Sequence, residues 1–427
     1  MNWPLLVFGL GFIAIFVLRL PIALGLIMDS LLYIALSGRD IGLVGESLMT
    51  NLFSKYIIIA VPLFVFTANV MNSGKVTDRI FGFANALVGR WRGGMGHVNV
   101  MASFIFSGMT GSAVADASGL GIMEIEAMKK YGYDPGFSCA VTAASATIGP
   151  IFPPSIPMIF YAMLSGASIG ALFIGGMVPG ILLGLSLMAY IAFVAKRRNY
   201  PKGETHTGRE FWKMTGGAFP ALLTPVILLG GIYTGVVTPT EAGALAGFYA
   251  LFVSILVYHA FGPKQLWDVI KGTVRTTGSL SIIVGAAFTT AYVVGVENIG
   301  DYFANFLLHV TQNKYVLLFL VNILFLLLGM FIDTSTITLV FIPIVLPLIQ
   351  TLGIDLTHFG VIVVLNMMIG LSTPPFGVLL FIVSGISDTP LSAVMKEILP
   401  MILVMIALLF VLTYVPGIVL FLPHLIG

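Results

Sequence analysis

Apolar runs of about 17–25 residues recur from one end of this chain to the other, each long enough to cross the ~30 Å hydrocarbon core of a bilayer. In lipid every backbone N–H and C=O must be satisfied internally, so only helices and closed barrels can span it. Runs of this length select helices. Of 427 residues, 58% are hydrophobic and 9% are charged, with a mean hydropathy of +1.05. A soluble fold of that size could not keep its surface in water. The chain therefore reads as an all-α polytopic membrane protein with ten to twelve crossings or part-crossings. Its opening run, "WPLLVFGLGFIAIFVLRLPIALGLIM", has no preceding basic residue and no small-residue cleavage site, and is expected to stay as helix.

Composition also excludes several functions. A net charge of +2 argues against a nucleic-acid partner, and the single cysteine, Cys139, allows no internal disulfide framework. There is no phosphate-binding P-loop, so ATP hydrolysis would have to come from another chain. Neither a zinc-protease motif, a nucleophile elbow nor a Cys/His cluster appears, and an enzyme is not expected.

Two stretches break the apolar pattern in the same way. Residues 149–157 read "GPIFPPSIP" and residues 370–377 read "GLSTPPFG". A shift of 221 superimposes them: Gly149 falls on Gly370 and Pro153-Pro154 on Pro374-Pro375. The same shift carries Gly74 to Gly295, Gly108-Met109 to Gly329-Met330, Gly132 to Gly353, Asp134 to Asp355 and Pro179 to Pro400. Leu and Val match easily by chance between apolar segments; Gly, Pro and Asp do not. The halves are internal repeats.

Basic residues give an orientation. Placing the polar loop with Lys196, Arg197, Arg198, Lys202, Arg209 and Lys213 in the cytoplasm puts 17 of the 20 Lys and Arg there, Arg19 included, and leaves Arg39, Lys55 and Lys314 outside. Both termini then face outward. On this trace residues 98–128 enter and leave from the cytoplasmic side, and residues 315–350 from the other. Opposed equivalents are the mark of inverted-topology repeats. Each has a small, polar middle, "SGMTGSAVADASG" and "GMFIDTSTIT", and reads as a re-entrant helical hairpin whose tip reaches the bilayer midplane. The resulting layout is an N-terminal scaffold with an interfacial arm (1–56) and a first repeat (57–195) holding a hairpin and a broken helix at 136–165. A loop, scaffold helices and a second interfacial arm follow (196–278), then a second repeat (279–427) with a hairpin and a broken helix at 357–386. The arms are expected at 40–55 and at 263–276, "PKQLWDVIKGTVRT", an amphipathic stretch suited to lying in the interface.

Unwound backbone survives in a membrane only where protein or a cavity covers it. Proline removes a donor and clashes with the preceding turn, so the Pro-Pro breaks free carbonyl oxygens. Carbonyls and hydroxyls without a carboxylate cluster suit a weakly held, hard monovalent cation. Two related Na⁺ sites are expected. The first is Ser107, Gly108 and Thr110 against Gly149, Phe152 and Pro153; the second is Gly329, Asp333 and Thr334 against Gly370, Thr373 and Pro374. Between them, Ser112, Asp116, Ser335, Thr336 and Thr338 are candidates to hold a polar solute. Glu124 and Glu126 are expected to pair with Lys129 and Lys130, and Glu241 to cap a helix after Pro239.

The stretches "GSAVADASGLG" (111–121), "AMKKYGYDPGFSCAVTAASATIGPIFPPSIPMIFYAMLSGASIGALFIGGMVPGIL" (127–182), "YTGVVTPTEAGALAG" (233–247) and "GMFIDTSTITLVFIPIVLPL" (329–348) resemble the large membrane subunit of tripartite ATP-independent periplasmic (TRAP) transporters. The resemblance runs over essentially the whole chain. It implies an elevator-type fold and Na⁺-driven secondary uptake of an organic acid, sialic acid or a C4-dicarboxylate, across a bacterial inner membrane. It implies two further partners: a small four-helix membrane subunit, expected here as a separate polypeptide, and a periplasmic substrate-binding protein. The two cation sites it implies fall on the stretches around 107–110 with 149–153 and 329–334 with 370–374. A stand-alone Na⁺-coupled transporter needing no binding protein is the alternative reading.

Overall fold

The computed structural model describes residues 3–18, 20–72, 75–203 and 205–426. Arg19 and Gly74, which entered the charge count and the repeat above, lie outside the described residues. Twenty α-helices and no strand are found among those described. The chain begins with α1 (Trp3–Val17), α2 (Ile22–Leu36), α3 (Gly42–Ser54), α4 (Ala60–Met71) and α5 (Lys75–Val88). A hairpin follows, α6 (Gly94–Thr110) and α7 (Ala113–Lys130), then an interrupted helix, α8 (Pro135–Ala146) and α9 (Ile156–Ser165), then the long α10 (Ile169–Arg197). Next come α11 (Gly208–Tyr233), α12 (Pro239–Phe252), α13 (Pro263–Val296) and α14 (Ile299–Val310). The series hairpin, interrupted helix, long helix then recurs as α15 (Lys314–Phe331), α16 (Thr334–Thr351), α17 (Leu356–Leu371), α18 (Val378–Ser387) and α19 (Leu391–Tyr414), and α20 (Pro416–Ile426) closes the chain.

The residue shift reappears in the helices. α7 and α16 are offset by 221 at both ends, and α8 and α17 begin 221 apart. Pro179 and Pro400 lie inside α10 and α19. The two series interlock reciprocally: α7 of the first packs on α18 of the second, and α16 of the second packs on α9 of the first. Each hairpin is thus held by the other half's break, which places both tips in one region.

Among the described residues, seven helices are long and apolar enough to cross a membrane, or eight if α3 and the segment Tyr56–Met71, bent by 68°, form one span. The expected ten to twelve is larger because it included part-crossings, and α1, α2, α9, α17, α18 and α20 are apolar but only 10–17 residues long. A second difference concerns residues 263–276. They form no separate arm but the first part of the 34-residue α13, which runs unbroken across position 278. No proline follows Pro263 to stop it. Glu241 does cap: its carboxylate accepts from the Thr238 N–H at 2.8 Å while Glu241 N–H donates to the Thr238 hydroxyl, a reciprocal box at the start of α12.

Arg198, just past α10, ties three elements together. Its guanidinium donates to both oxygens of Glu397 in α19 (3.0 and 2.9 Å) and to Asp134 before α8 (3.1 Å), and lies over the Phe137 ring. The Tyr200 hydroxyl also donates to Asp134, and burial followed by that bond pushes the phenol up to about 12, so it remains a donor. The Arg198 side chain is 37% exposed, which screens these pairs. Replacing Arg198 with alanine is expected to cost about 1 kcal/mol, the upper end for exposed pairs. A thermal melt in detergent should fall by a few degrees; an unchanged midpoint would show the cluster to be ornamental.

Candidate solute and cation site at the two hairpin tips

The first tip is two residues long. Gly111 has φ +60°, a left-handed conformation that suits glycine, and a Cβ there would come within 2.6 Å of the Pro154 carbonyl oxygen. The tip therefore rests directly on the first break. Ser112 is extended and caps α7, its Oγ accepting from Ala115 N–H at 3.3 Å. A Cβ on Gly149 would meet Ser112 and Ala113 backbone at 3.5 and 3.6 Å, so α8 ends against the same tip. Gly108 faces Phe152 and, on its other side, Pro225 of α11.

The second tip is built differently. Asp333 caps α16: its Oδ1 accepts from Ser335 N–H (3.0 Å) and Thr336 N–H (3.2 Å), and its Oδ2 accepts from the Thr336 hydroxyl. Gly329 and Gly370 meet backbone to backbone; a Cβ at 370 would lie 2.7 Å from the Gly329 Cα. Gly377 N–H donates to Met330 C=O at 3.2 Å, binding the break to the hairpin.

At each break the helix tightens before it stops. Thr147, Ile148 and Gly149 N–H groups reach back three residues, as do those of Ser372 and Thr373. Both Pro153-Pro154 and Pro374-Pro375 peptide bonds are cis. The nearby hydroxyls spend their protons locally: Ser107 donates to Phe104 C=O (2.6 Å), Thr110 to Phe106 C=O (3.4 Å) and Thr373 to Ile369 C=O (2.6 Å). What they offer outward is lone pairs, which a cation accepts and an anion does not.

A cavity of about 380 Å³ lies between the tips. Thr110, Ser112, Asp333, Thr334 and Ser335 line it from the hairpins, Pro150 and Leu371 from the breaks, and Asn69 and Thr276 from α4 and α13. It thus lies between the two hairpins, flanked by α4 and α13. Asp116, Thr336 and Thr338, named from the sequence as solute contacts, do not line it. Thr336 turns to Asp333, and Thr338 donates to Thr334 C=O and packs on Met367. Asp116 points into the hairpin interior, 1% exposed. Glu124, expected to pair with lysine, is equally buried with no ion pair, and Lys129 instead donates to Ser387 C=O.

Sequence reasoning missed Asn69 and Thr276. It also missed a buried amide ladder behind the second site, where Asn366 donates to Asn322 and Asn322 to Thr413. An Asn inside an apolar helix run was the signal for all three asparagines.

Residues 10–418 match the family described as the tripartite ATP-independent periplasmic transporter, DctM component. The chain belongs to the DctM family. It is 39% identical over 416 residues to the sialic acid TRAP transporter large permease protein SiaM of Vibrio cholerae, covering 97% of each. It is 36% identical to the sialic acid TRAP transporter permease protein SiaT of Haemophilus influenzae, covering 98% of this chain and 68% of that protein. It is 37% identical to the C4-dicarboxylate TRAP transporter large permease protein DctM of Pseudomonas aeruginosa, covering 90% of each. In fold it is similar to the Alcanivorax borkumensis YdaH transporter, with a TM-score of 0.58 over 87% of each chain at 16% identity. This DctM-family chain is a multi-pass membrane transporter permease and not an enzyme.

Proposed function

We propose that this chain is the transporting permease of a Na⁺-driven, binding-protein-dependent uptake system for sialic acid in a bacterial inner membrane, with both termini periplasmic. Two Na⁺ ions would sit where each tip meets its break, among the lone pairs of Ser107 and Thr110 and the carbonyls of Gly149–Pro153, and among Gly329, Asp333, Thr334, Gly370, Thr373 and Pro374. Such unwound carbonyls are the usual coupling-ion ligands in secondary transporters. The repeats would move as one body against a frame of the remaining helices, enlarged by a separate small membrane subunit. A periplasmic binding protein would deliver the solute.

The observation that carries this reading is the cavity shared by both tips and bounded by α4 and α13. Its walls also favour one solute class. Its hydroxyls and one amide stand among mostly apolar side chains; among the described residues no basic side chain lines it and the only carboxylate is Asp333. The start of the 18-residue α7 lies on the wall, so its first-turn N–H groups and dipole can receive one carboxylate. Asp333 would repel a second. An acidic sugar with one carboxylate and several hydroxyls fits better than a dicarboxylate, in line with the names of the SiaM and SiaT relatives.

The test is uptake of labelled sialic acid or a C4-dicarboxylate into proteoliposomes holding this chain and its small subunit. The inward Na⁺ gradient and the loaded binding protein are varied. Sialic acid uptake that needs both is expected. Na⁺-driven uptake without any binding protein would establish the stand-alone alternative, and uptake indifferent to Na⁺ would remove the cation sites from the mechanism.

A further inference from the structure

The first hairpin carries two acids that its counterpart lacks. Asp116 and Glu124 lie two turns apart on α7, each 1% exposed, and all four carboxyl oxygens are without a hydrogen-bond partner. The Ser103 hydroxyl of α6 lies beside both, and Thr142 of α8 lies beside Glu124. Two hydroxyls cannot balance two buried carboxylates. Ser103 donates to Ser145 (3.2 Å), Ser145 donates to the Asn99 carbonyl oxygen (2.7 Å), and the Asn99 amide donates to Thr142 (2.7 Å). Ser103 thus spends its proton on Ser145 and faces the acids with lone pairs, while the chain ends at Thr142, whose own hydroxyl proton is left to turn to Glu124.

The second repeat is an internal control. Shifting by 221 turns Ser103 into Leu324, Asp116 into Ile337, Glu124 into Val345 and Thr142 into Val363. Ile337 and Val345 are as buried as the acids they replace. Packing a hairpin of this design against its broken helix needs no polar group at these positions. Two ionisable groups added to a dry interior are costly unless something neutralises them.

Among the described residues no side chain does so. The helices packed most extensively against α7 are α8, α18 and α6. From these come Cys139, whose sulfur meets Ser387, no ionisable group on α18, and His97, which lies against Trp91. On α7 itself Lys129 is engaged at Ser387, and neither Lys130 nor Glu126 is buried with the pair.

We propose that Asp116 and Glu124, with Ser103 and Thr142, form a third cation site inside the first hairpin, taking one small monovalent cation, Na⁺ or a proton, which leaves a single negative charge shared over the pair as in a carboxyl dyad. Every atom offered is oxygen, which suits either hard cation and no soft metal. The site lies behind the solute cavity and shares no residue with the two break sites. A failure of the Na⁺ assignment at the breaks therefore leaves it standing.

The test uses purified full-length protein: wild type, Asp116→Asn, Glu124→Gln, and the double variant Asp116→Ile with Glu124→Val, which installs the second repeat's residues. Two equilibrium signals are read. One is ²²Na⁺ bound per chain, and the other is the infrared carbonyl band of a protonated carboxyl group at neutral pH. The double variant is expected to lose one of them, and each single variant to weaken the same one. A lost Na⁺ identifies sodium, whereas a lost band identifies the proton. Both signals unchanged in all three variants would overturn the site. Should the variants fail to fold, the wild type decides: no carboxyl band and no Na⁺ beyond the two break ions would overturn it equally. The double variant should melt no lower than wild type, since it removes two unpartnered buried groups.

Discussion

Replacing Gly370 with alanine is expected to lower the thermal midpoint sharply and to abolish Na⁺-driven uptake, while Gly149→Ala leaves the melt near that of wild type. The difference lies in what the new methyl would strike. At 370 it meets the Gly329 Cα at 2.7 Å, the Gly329 carbonyl carbon at 2.8 Å and the Leu326 carbonyl oxygen at 2.9 Å, all backbone. No rotamer can relieve backbone, so α15 and α17 must separate. Overpacking costs roughly 1–3 kcal/mol, and three backbone contacts under 3.0 Å put this site at the upper end, above the ~1 kcal/mol alanine returns in helix propensity. Separation would also pull Met330 from Gly377 and carry Thr373 away from Gly329, the two walls proposed for the second cation. At 149 the nearest atoms lie at 3.3–3.6 Å, close to ordinary contact. Melting curves in detergent with uptake on the same preparations check both halves. Wild-type behaviour of Gly370→Ala would mean that the glycine contact positions nothing.

The two breaks and tips were legible because their chemistry cannot be substituted silently. Gly370 and the tip glycine Gly111 occupy places where a side chain would not fit, and the two Pro-Pro pairs, with Gly149, sit where the helix must stop. A constant shift among such residues reports backbone geometry directly. Side-chain direction was not legible to the same degree. One residue along a helix turns about 100°, which is enough to move Asp116 from the cavity wall to the hairpin interior while Ser112, at the cap, stays on the wall. Glu124 was paired with Lys129 and Lys130 by nearness in sequence. Neighbours on a helix face are three or four residues apart, and along α7 those positions hold Leu120, Gly121, Ala127 and Met128. Asn69 and Thr276 reach the cavity only through the packing of α4 and α13, which no local pattern encodes. The continuity of α13 was hidden by an amphipathic start joined to an apolar end without a stop signal between them.

Asp333→Asn is expected to fold like wild type yet to need at least tenfold more Na⁺ for half-maximal uptake, whereas Asp333→Ala should lose stability as well. Two roles coincide at this residue, and the two variants pull them apart. As a cap, its oxygen takes the N–H groups of Ser335 and Thr336. Asparagine serves that purpose about as well as aspartate, while alanine forfeits about 1 kcal/mol. As a charge, it is the only carboxylate on the cavity wall, and Thr336 already occupies one of its oxygens. A unit charge about 4 Å from a bound cation contributes several times RT even at an effective dielectric of about 20, so a tenfold loss of affinity is a conservative expectation on neutralising it. The first tip, capped by neutral Ser112, supplies the comparison: Ser112→Asn should leave the Na⁺ requirement where it is. Uptake titrated against Na⁺, with melting curves on the same samples, separates the roles. If Asp333→Asn titrates like wild type, the carboxylate is a helix cap and the second cation is held without it.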